Sequence, residues 1–559
     1  MSIKKSIIAA SLAIGFCGNA LAATVSFVVP NNSETISVAK SALVKNAKVL
    51  SERYVRITVD AEDEYTLLNS LSAAGVYAES DGILVRPPQV STGEVSGSGA
   101  ISSKGVTVND PLVSSQTYLN FDGTSILDGM AYQRDANEQV KVLILDTGSM
   151  PHEDVVFHGG FNYATYFGDP DREATDYEDY TRIVDEESGL VVSECESGHG
   201  ISMAGIIGAK QNNARGIAGI SNAELYMGRV VETDCSTGED VGYLSDVYDA
   251  LSDVSRSNSS SGIPTPDVVS ISLAAQSTCP GYLQEVIDEL YDAGTTLVVS
   301  AGNAGGLAAS YAPANCNNVV VVGAASESGF REAYSNSGDQ VDVSMTGDFF
   351  TTLKGNMYGD VTGTSGAAAA VSGIVAVIKQ NYPDASAEQI ETVLKLSSTA
   401  LNPDGCDEGC GEGFVNLRNG LEAAEALIDP DVNFYHSMDD AADCKVTREV
   451  EALQSSMNIC DTMIGRIDVS YAEEQVPAAY DFELRQRNSG GSTWTGSSMK
   501  VLFQYSPTEN NDAIPLLDVS GSELDYGIAR CYESPQKGRV CPYVETFDIS
   551  TIQYPTSCM

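Results

Sequence analysis

The chain has 559 residues, 77 acidic against 31 basic, for a formal net charge of −46, and 43% of it is hydrophobic. That length and apolar share exclude a wholly disordered protein and imply about two to four folded units, while glycines and prolines without a fixed period exclude collagen-like order. The sign of the charge excludes recruitment to nucleic acid or acidic membranes by bulk positive charge, and most of the acidity reads as a solvated surface that keeps an exported protein soluble.

The first segment, Met1-Ser2-Ile3-Lys4-Lys5, then an apolar run from Ser6 to Phe16, then Ala20-Leu21-Ala22, predicts a secretory signal over 1–22 that is cleaved after Ala22. The apolar run is shorter than the roughly twenty residues of a membrane span, so no transmembrane segment is expected. Phe16 stands where a small residue would have to precede a lipidated cysteine at Cys17. Export permits disulfides. Of the 12 cysteines, Cys17 leaves with the signal, so an odd number stays behind. Six of these fall in the middle of the chain and five in its tail, which places the unpaired thiol in the tail. Their spacing does not match zinc sites.

After the signal, Tyr54 to Val59 reads as a strand, Glu64 to Ala74 as a helix, and Val76 to Glu79 and Gly82 to Arg86 as two further strands of a small α+β unit ending at Pro87-Pro88. The Ser/Gly-rich stretch 89–107 has almost no apolar periodicity and reads as a protease-accessible linker. From Asn109 to Asp429, apolar strands alternate with helical stretches. The strands are Val140 to Leu145, Ala223 to Val231, Asp267 to Leu273, Thr295 to Ser300, Asn318 to Ala324 and Val341 to Met345. Continuous Val/Ile/Leu runs between helices imply an α/β fold with a parallel sheet flanked by helices on both faces. Helices are expected after His199, over Val241 to Ser255, Tyr282 to Ala293 and Ser365 to Gln380, and from Ser386, where Ser386 and Gln389 form a capping box. Between Glu153 and Glu196, 13 acidic residues stand against Arg172 and Arg182. This segment reads as a surface insertion whose charge is mostly solvated. After Pro430, short strands and Asn/Gly/Ser turns predict a separate β-rich domain over 430–559.

Three segments of the α/β region can build a nucleophile. Leu145-Asp146-Thr147-Gly148 puts a carboxylate at the carboxyl end of a buried strand, where open α/β sheets place their sites. Ser197-Gly198-His199-Gly200 starts a helix with a histidine, and Gly363-Thr364-Ser365-Gly366 starts another with a serine. A serine hydroxyl needs an imidazole to take its proton, and the imidazole needs a carboxylate to fix its tautomer and stabilise its cation. A helix start also offers N–H groups to an anion. Ser300-Ala301-Gly302-Asn303 ends a buried strand in an amide that can donate to an oxyanion.

The order Asp-Thr-Gly, His-Gly, Ser-Leu, Ala-Gly-Asn, Gly-Thr-Ser resembles the subtilisin-like serine proteases, and several independent motifs over roughly 320 residues carry that resemblance. It implies Asp146, His199 and Ser365 as the triad and Asn303 as the oxyanion donor. It implies Ser272-Leu273-Ala274 as the edge that pairs with substrate backbone and, with Gly302, shapes the first specificity pocket. The early unit, 23–105 with its linker, resembles a propeptide that assists folding and then blocks the cleft, which leaves 106–429 as the peptidase domain. The bridges implied by resemblance are Cys195 with Cys235, Cys279 with Cys316, and Cys406 with Cys410. Asp110, Asp154 and Asn213 align with segments that bind calcium in many relatives, an ion suited to oxygen ligands from separate loops; a turn starter, a helix-end acid and a polar loop explain the same residues without a metal.

Three positions depart from the family pattern: Ile201 replaces a Thr, Gly366-Ala367-Ala368-Ala369 lacks the usual proline, and Ala274 replaces a Gly. None removes a catalytic group; they bear on pocket shape. The expectation is therefore a secreted, monomeric serine endopeptidase acting on protein or peptide substrates. It needs no cofactor for catalysis, its own propeptide is its inhibitor, and cleavage within 89–107 activates it.

Overall fold

The computed structural model describes residues 24–39, 44–86, 101–103, 106–121, 123–133, 139–167, 172–184, 191–256, 259–402, 405–406, 409–428 and, in the tail, 466–469, 480–487, 494–505, 513–520, 523–534 and 538–548. The predicted signal, the stretch 87–100 and the first part of the tail lie outside the described residues. The chain divides into two compact units, one up to Asp81 and one from Gly82 onward. Among the described residues no helix is long and apolar enough to cross a membrane.

In the first unit, four strands form a sheet in the order Val44–Val49, Tyr54–Asp60, Thr24–Pro30, Glu79–Ser80. Tyr54–Asp60 alternates strictly enough to send Val55, Ile57 and Val59 into one core with Phe27 and Val29. The helix Glu64–Ala73 covers that face with Leu67 and Leu71, four residues apart and therefore on one side of it. The sequence reading found the Tyr54 strand and this helix and missed the Thr24 and Val44 strands. Its last predicted strand does not join this sheet. Ile83–Arg86 pairs instead with Asp240–Tyr243 in the second unit.

The second unit is built on seven parallel strands in the order Val343–Thr346, Val320–Ala325, Thr296–Ser300, Val268–Ile271, Lys141–Asp146, Glu224–Arg229, Phe157–Asn162. Thr296–Ser300 and Val268–Ile271 are buried at every residue, the pattern of strands covered on both faces. The helix Thr364–Asn381 is buried from Thr364 to Gln380. Its Ala367-Ala368-Ala369-Ala370 run combines high helix propensity with side chains small enough to lie close against the sheet. Ile201, at the departure from the family pattern, is fully buried in the same core. The helix Ala387–Ser397 carries the expected capping box from Ser386 and Gln389.

The acidic segment 153–196 is only in part the solvated surface insertion that its charge implied. Phe157–Asn162 is the edge strand of the central sheet, and Thr181–Val184 and Val191–Cys195 form a hairpin. Asp154 and Asp179 are buried. Acids can be buried where backbone N–H groups converge on them, and composition does not register such convergence. The predicted linker likewise contains paired strands, Ile101–Ser103 and Val106–Val108, whose last residue is anchored in the core. Cys195–Cys235, Cys279–Cys316 and Cys406–Cys410 are each bonded, the pairings that the resemblance implied. In the tail, six antiparallel strands follow one another from Arg466–Val469 to Gly538–Asp548, each paired with its neighbours in sequence.

Candidate active site

Strand order brings the site together. Thr296–Ser300, Val268–Ile271 and Lys141–Asp146 are adjacent and parallel, so their carboxyl ends, which lead into Asn303, Ser272 and Asp146, emerge side by side. Asp146 and His199 are buried, and His199 Nδ1 lies 2.7 Å from Asp146 Oδ1. The same carboxylate oxygen accepts the Thr147 N–H at 2.8 Å, so its direction is fixed by backbone as well as by the ring. With Nδ1–H donating, Nε2 is the basic nitrogen. His199 Nε2 is buried and without a hydrogen-bond partner among the described residues, which leaves it able to accept a proton. Of the other described histidines, His152 bonds to the Met357 carbonyl and His158 packs against Tyr226.

Ser365 is the second residue of the Thr364–Asn381 helix and is almost fully buried. Its hydroxyl donates to the Ser272 carbonyl at 3.3 Å, and the Ser272 hydroxyl donates back to the Ser365 carbonyl at 3.1 Å. To be deprotonated, the Ser365 hydroxyl must exchange the Ser272 carbonyl for Nε2; hydrogen bonds of this kind commonly tighten only when substrate is bound. Asn303 is exposed at the site, yet its Oδ1 accepts both the Thr364 N–H and the Thr364 hydroxyl, each at 2.9 Å. With the oxygen held, the amide NH2 is the free end. The Asn303 loop is braced from behind by buried Asn336, which accepts from Ala304 N and Gly306 N and donates to the Ala301 carbonyl. The sequence reading missed Asn336 and gave Thr364 no role, since neither residue type nor spacing marks a brace.

Ser272 and Leu273 are buried and Ala274 half-buried just beyond the Val268–Ile271 strand. A Cβ placed on Gly302 would lie 3.9 Å from the Ala274 methyl, so these two positions face each other across a narrow gap. Beside them, Ala275 bridges antiparallel to both Ala312 and Leu84. The strand Ile83–Arg86, paired on its other side with Asp240–Tyr243, thus runs along the edge that the resemblance assigned to substrate.

The three candidate metal ligands also converge. Asn213 donates its N–H to Asp110 Oδ1 at 2.9 Å and its side-chain amide to Asp154 Oδ1 at 2.7 Å. The remaining carboxylate oxygens take N–H groups of Asn212 and Ile217. Burial pushes the Asp154 carboxyl up to about 6 and raises that of Asp110, and the nearby Asp110 charge adds to the rise at Asp154. Among the described residues no cluster of three or more His, Cys, Asp or Glu could hold a metal, and the Asn213 Oδ1 accepts the Arg215 N–H at 2.7 Å.

A buried carboxylate–imidazole pair, a serine at a helix start and a fixed amide near the carboxyl ends of a parallel sheet are the groups that a serine hydrolase would use. Residues 137–413 match the family model described as the subtilase family, and this part of the chain belongs to that family. The chain is 31% identical over 347 residues to an extracellular protease of Xanthomonas campestris, covering 57% of each, and 28% identical over 284 residues to the minor extracellular protease Epr of Bacillus subtilis, covering 50% of this chain and 38% of that protein. It therefore spans less than two thirds of the length of either relative. The solved proteases from Pseudoalteromonas arctica align at 30% identity with a TM-score of 0.49, covering 57% of this chain and 99% of that chain.

Proposed function

We propose that the protein is a secreted serine endopeptidase that uses Asp146, His199 and Ser365 through an acyl-enzyme. The observation that carries this reading is the buried 2.7 Å bond from His199 to Asp146, on the sheet edge that also presents Ser365 and Asn303. Ser365 Oγ attacks the scissile carbonyl as His199 Nε2 takes its proton, and Asp146 stabilises the resulting imidazolium. The oxyanion is met by the Asn303 amide and the Ser365 N–H at the helix start. His199 then gives its proton to the leaving amine. Water, deprotonated by the same imidazole, releases the acyl group.

Substrate backbone would pair with Ser272-Leu273-Ala274, and the first side-chain pocket would lie between Ala274 and Gly302. The propeptide reading draws support from Ile83–Arg86, which already lies as a strand beside Ala275 and Asp240–Tyr243. Cleavage within 89–107 would release it. Secretion is supported by the signal-like start and by the extracellular proteases among the relatives. Asp110, Asp154 and Asn213 would hold a structural calcium ion, since two buried carboxylates bridged by one asparagine gain from a cation that offsets their mutual repulsion. The ion would tie three loops together and take no part in the chemistry. The enzyme is expected to act as a monomer.

The test is the full-length Ser365→Ala variant beside the parent protein. Parent protein should react with an organophosphonate serine probe, hydrolyse a protein substrate and shed its propeptide; Ser365→Ala should do none of these. A variant that still processes itself when pure, or a parent that does not react with the probe, would overturn the assignment. The second outcome would favour a binding protein built on an inactive protease domain.

A further inference from the structure

Asp179 belongs to the acidic segment whose charge first read as solvated, yet it is 4% exposed and each of its carboxylate bonds comes from a donor. Oδ2 accepts the Thr147 hydroxyl at 2.7 Å and the Gly198 N–H at 2.7 Å, and Oδ1 accepts the Ser197 N–H at 3.2 Å. Thr147 is the residue after Asp146; Ser197 and Gly198 are the two before His199. The Thr147 hydroxyl in turn accepts the Gly200 N–H at 3.1 Å, so one hydrogen-bond chain grips the backbone on both sides of His199 and ends beside Asp146. The backbone is held too: Asp179 N–H donates to the Ser149 carbonyl at 2.7 Å and Ser149 N–H to the Tyr177 carbonyl at 2.9 Å. Gly148, at φ +128°, allows this approach, since a Cβ there would stand 2.8 Å from the Asp179 nitrogen.

The helix His199–Gly208 begins at Gly198 in the left-handed region (φ +86°), and the Gly198 residue supplies no side-chain cap. Two glycines flank the imidazole-bearing residue, and glycine leaves the backbone more freedom than any other residue. Within the loop itself only the Ser197 hydroxyl, which accepts the His199 N–H at 3.3 Å, holds this backbone, so the angle at which the ring meets Asp146 also depends on bonds from other segments. We propose that Asp179 is a positioning residue for the reaction: its carboxylate locks the start of the His199 helix to the Asp146–Thr147 turn, and so holds the imidazole in its productive orientation without touching the reacting atoms. This rests on the serine endopeptidase reading above.

Burial pushes the Asp179 carboxyl up to about 6, the donors oppose the rise, and the Asp240 carboxylate nearby adds to it. Asp240 is itself held by the Ser197 and Thr233 hydroxyls. At pH 8 the ionised, acceptor-only form is therefore the one present. It is also the form that three donors require.

Asp179→Asn keeps the shape and turns one acceptor into a donor facing N–H or O–H groups. Thr147→Val keeps the volume and removes the hydroxyl that links Asp179 to Gly200. At pH 8, with active sites counted by organophosphonate titration, each variant should lose kcat by on the order of 10² at a KM within about twofold of the parent, the size of effect that small misplacements of reacting groups produce. The double variant should fall no further than the worse single one, because both act through one chain of bonds. Parent-like kcat per titrated site in either variant, or losses that multiply in the double variant, would overturn the proposal. Turnover that survives in Ser365→Ala would instead defeat the endopeptidase reading, so the two failures are distinguishable.

Discussion

Asn303 is the exposed member of an otherwise buried site, and its geometry explains how an exposed amide can still be rigid. Thr364 supplies two donors to its oxygen, so the NH2 group is aimed by the residue that precedes Ser365. Asn303→Asp keeps that acceptor and removes only the donor, adding negative charge where the proposed oxyanion would form. It should lower kcat by at least about 10², as loss of a single oxyanion donor does, with little change in KM or melting temperature. A large drop in melting temperature with kcat per titrated site preserved would mean that Asn303 serves the fold and not the oxyanion. Ala274 acts at the same scale: its methyl narrows the gap toward Gly302, so it bears on which side chains fit and not on bond cleavage.

Among the elements, the helices that carry His199 and Ser365 differ at their starts. Thr364–Asn381 is buried from Thr364 to Gln380, and the shorter His199–Gly208 helix, buried from His199 to Ile207, adds bonds at its start from Asp179, Ser197 and Thr147. The Leu244–Val254 helix carries a third kind of support in Asp253, near its end. Asp253 accepts from the backbone and hydroxyl of Ser260, from Ser261 N, from the Ser259 hydroxyl and from the Tyr163 hydroxyl. Burial alone would raise its pKa, but these donors together win and hold it at about 2. A carboxyl depressed in the folded state stabilises the fold above its unfolded pKa, about 3.9, and that stability is lost as pH falls through about 2. Asp253→Asn should therefore cost roughly 2 kcal/mol at pH 7, with the gap to the parent closing between about pH 4 and 2 in urea melts. A gap that is constant with pH would show that packing, not charge, is what the substitution disturbs.

For the whole molecule, the proposed activity depends on segments far apart in sequence being held as one. Asp110 precedes the sheet, Asp154 follows its first strand, and Asn213 lies beyond the His199 helix. A calcium ion shared by these three would stabilise the unit that carries Asp146, His199 and Ser365 by an amount that grows with the logarithm of free calcium over its Kd. Chelator should then lower the melting temperature of the parent, and it should have no further effect in Asp154→Asn. An unchanged parent melting temperature under chelator would remove the ion from the account.

The sequence by itself determined the parallel α/β class and the four residues of the proposed chemistry. Buried parallel strands leave continuous Val/Ile/Leu runs, and a nucleophile, base, acid and amide each sit in a short local motif at the end of such a run or the start of a helix. Reading strand ends as sites placed Asp146 and Asn303 within a few residues of where the sheet presents them. Tertiary structure alone decided what holds those groups in place. Asp179, Asn336 and the Asp110–Asn213–Asp154 bridge act through hydrogen bonds between segments tens of residues apart, and no local pattern marks the acid that will meet a backbone N–H from another loop. It also decided the fate of Ile83–Arg86, whose short apolar run marks a strand but gives no sign of its partner. The partner, Asp240–Tyr243, overlaps the start of the helix expected over Val241 to Ser255, and strand pairing is chosen by which edges the fold leaves open and not by the strand itself.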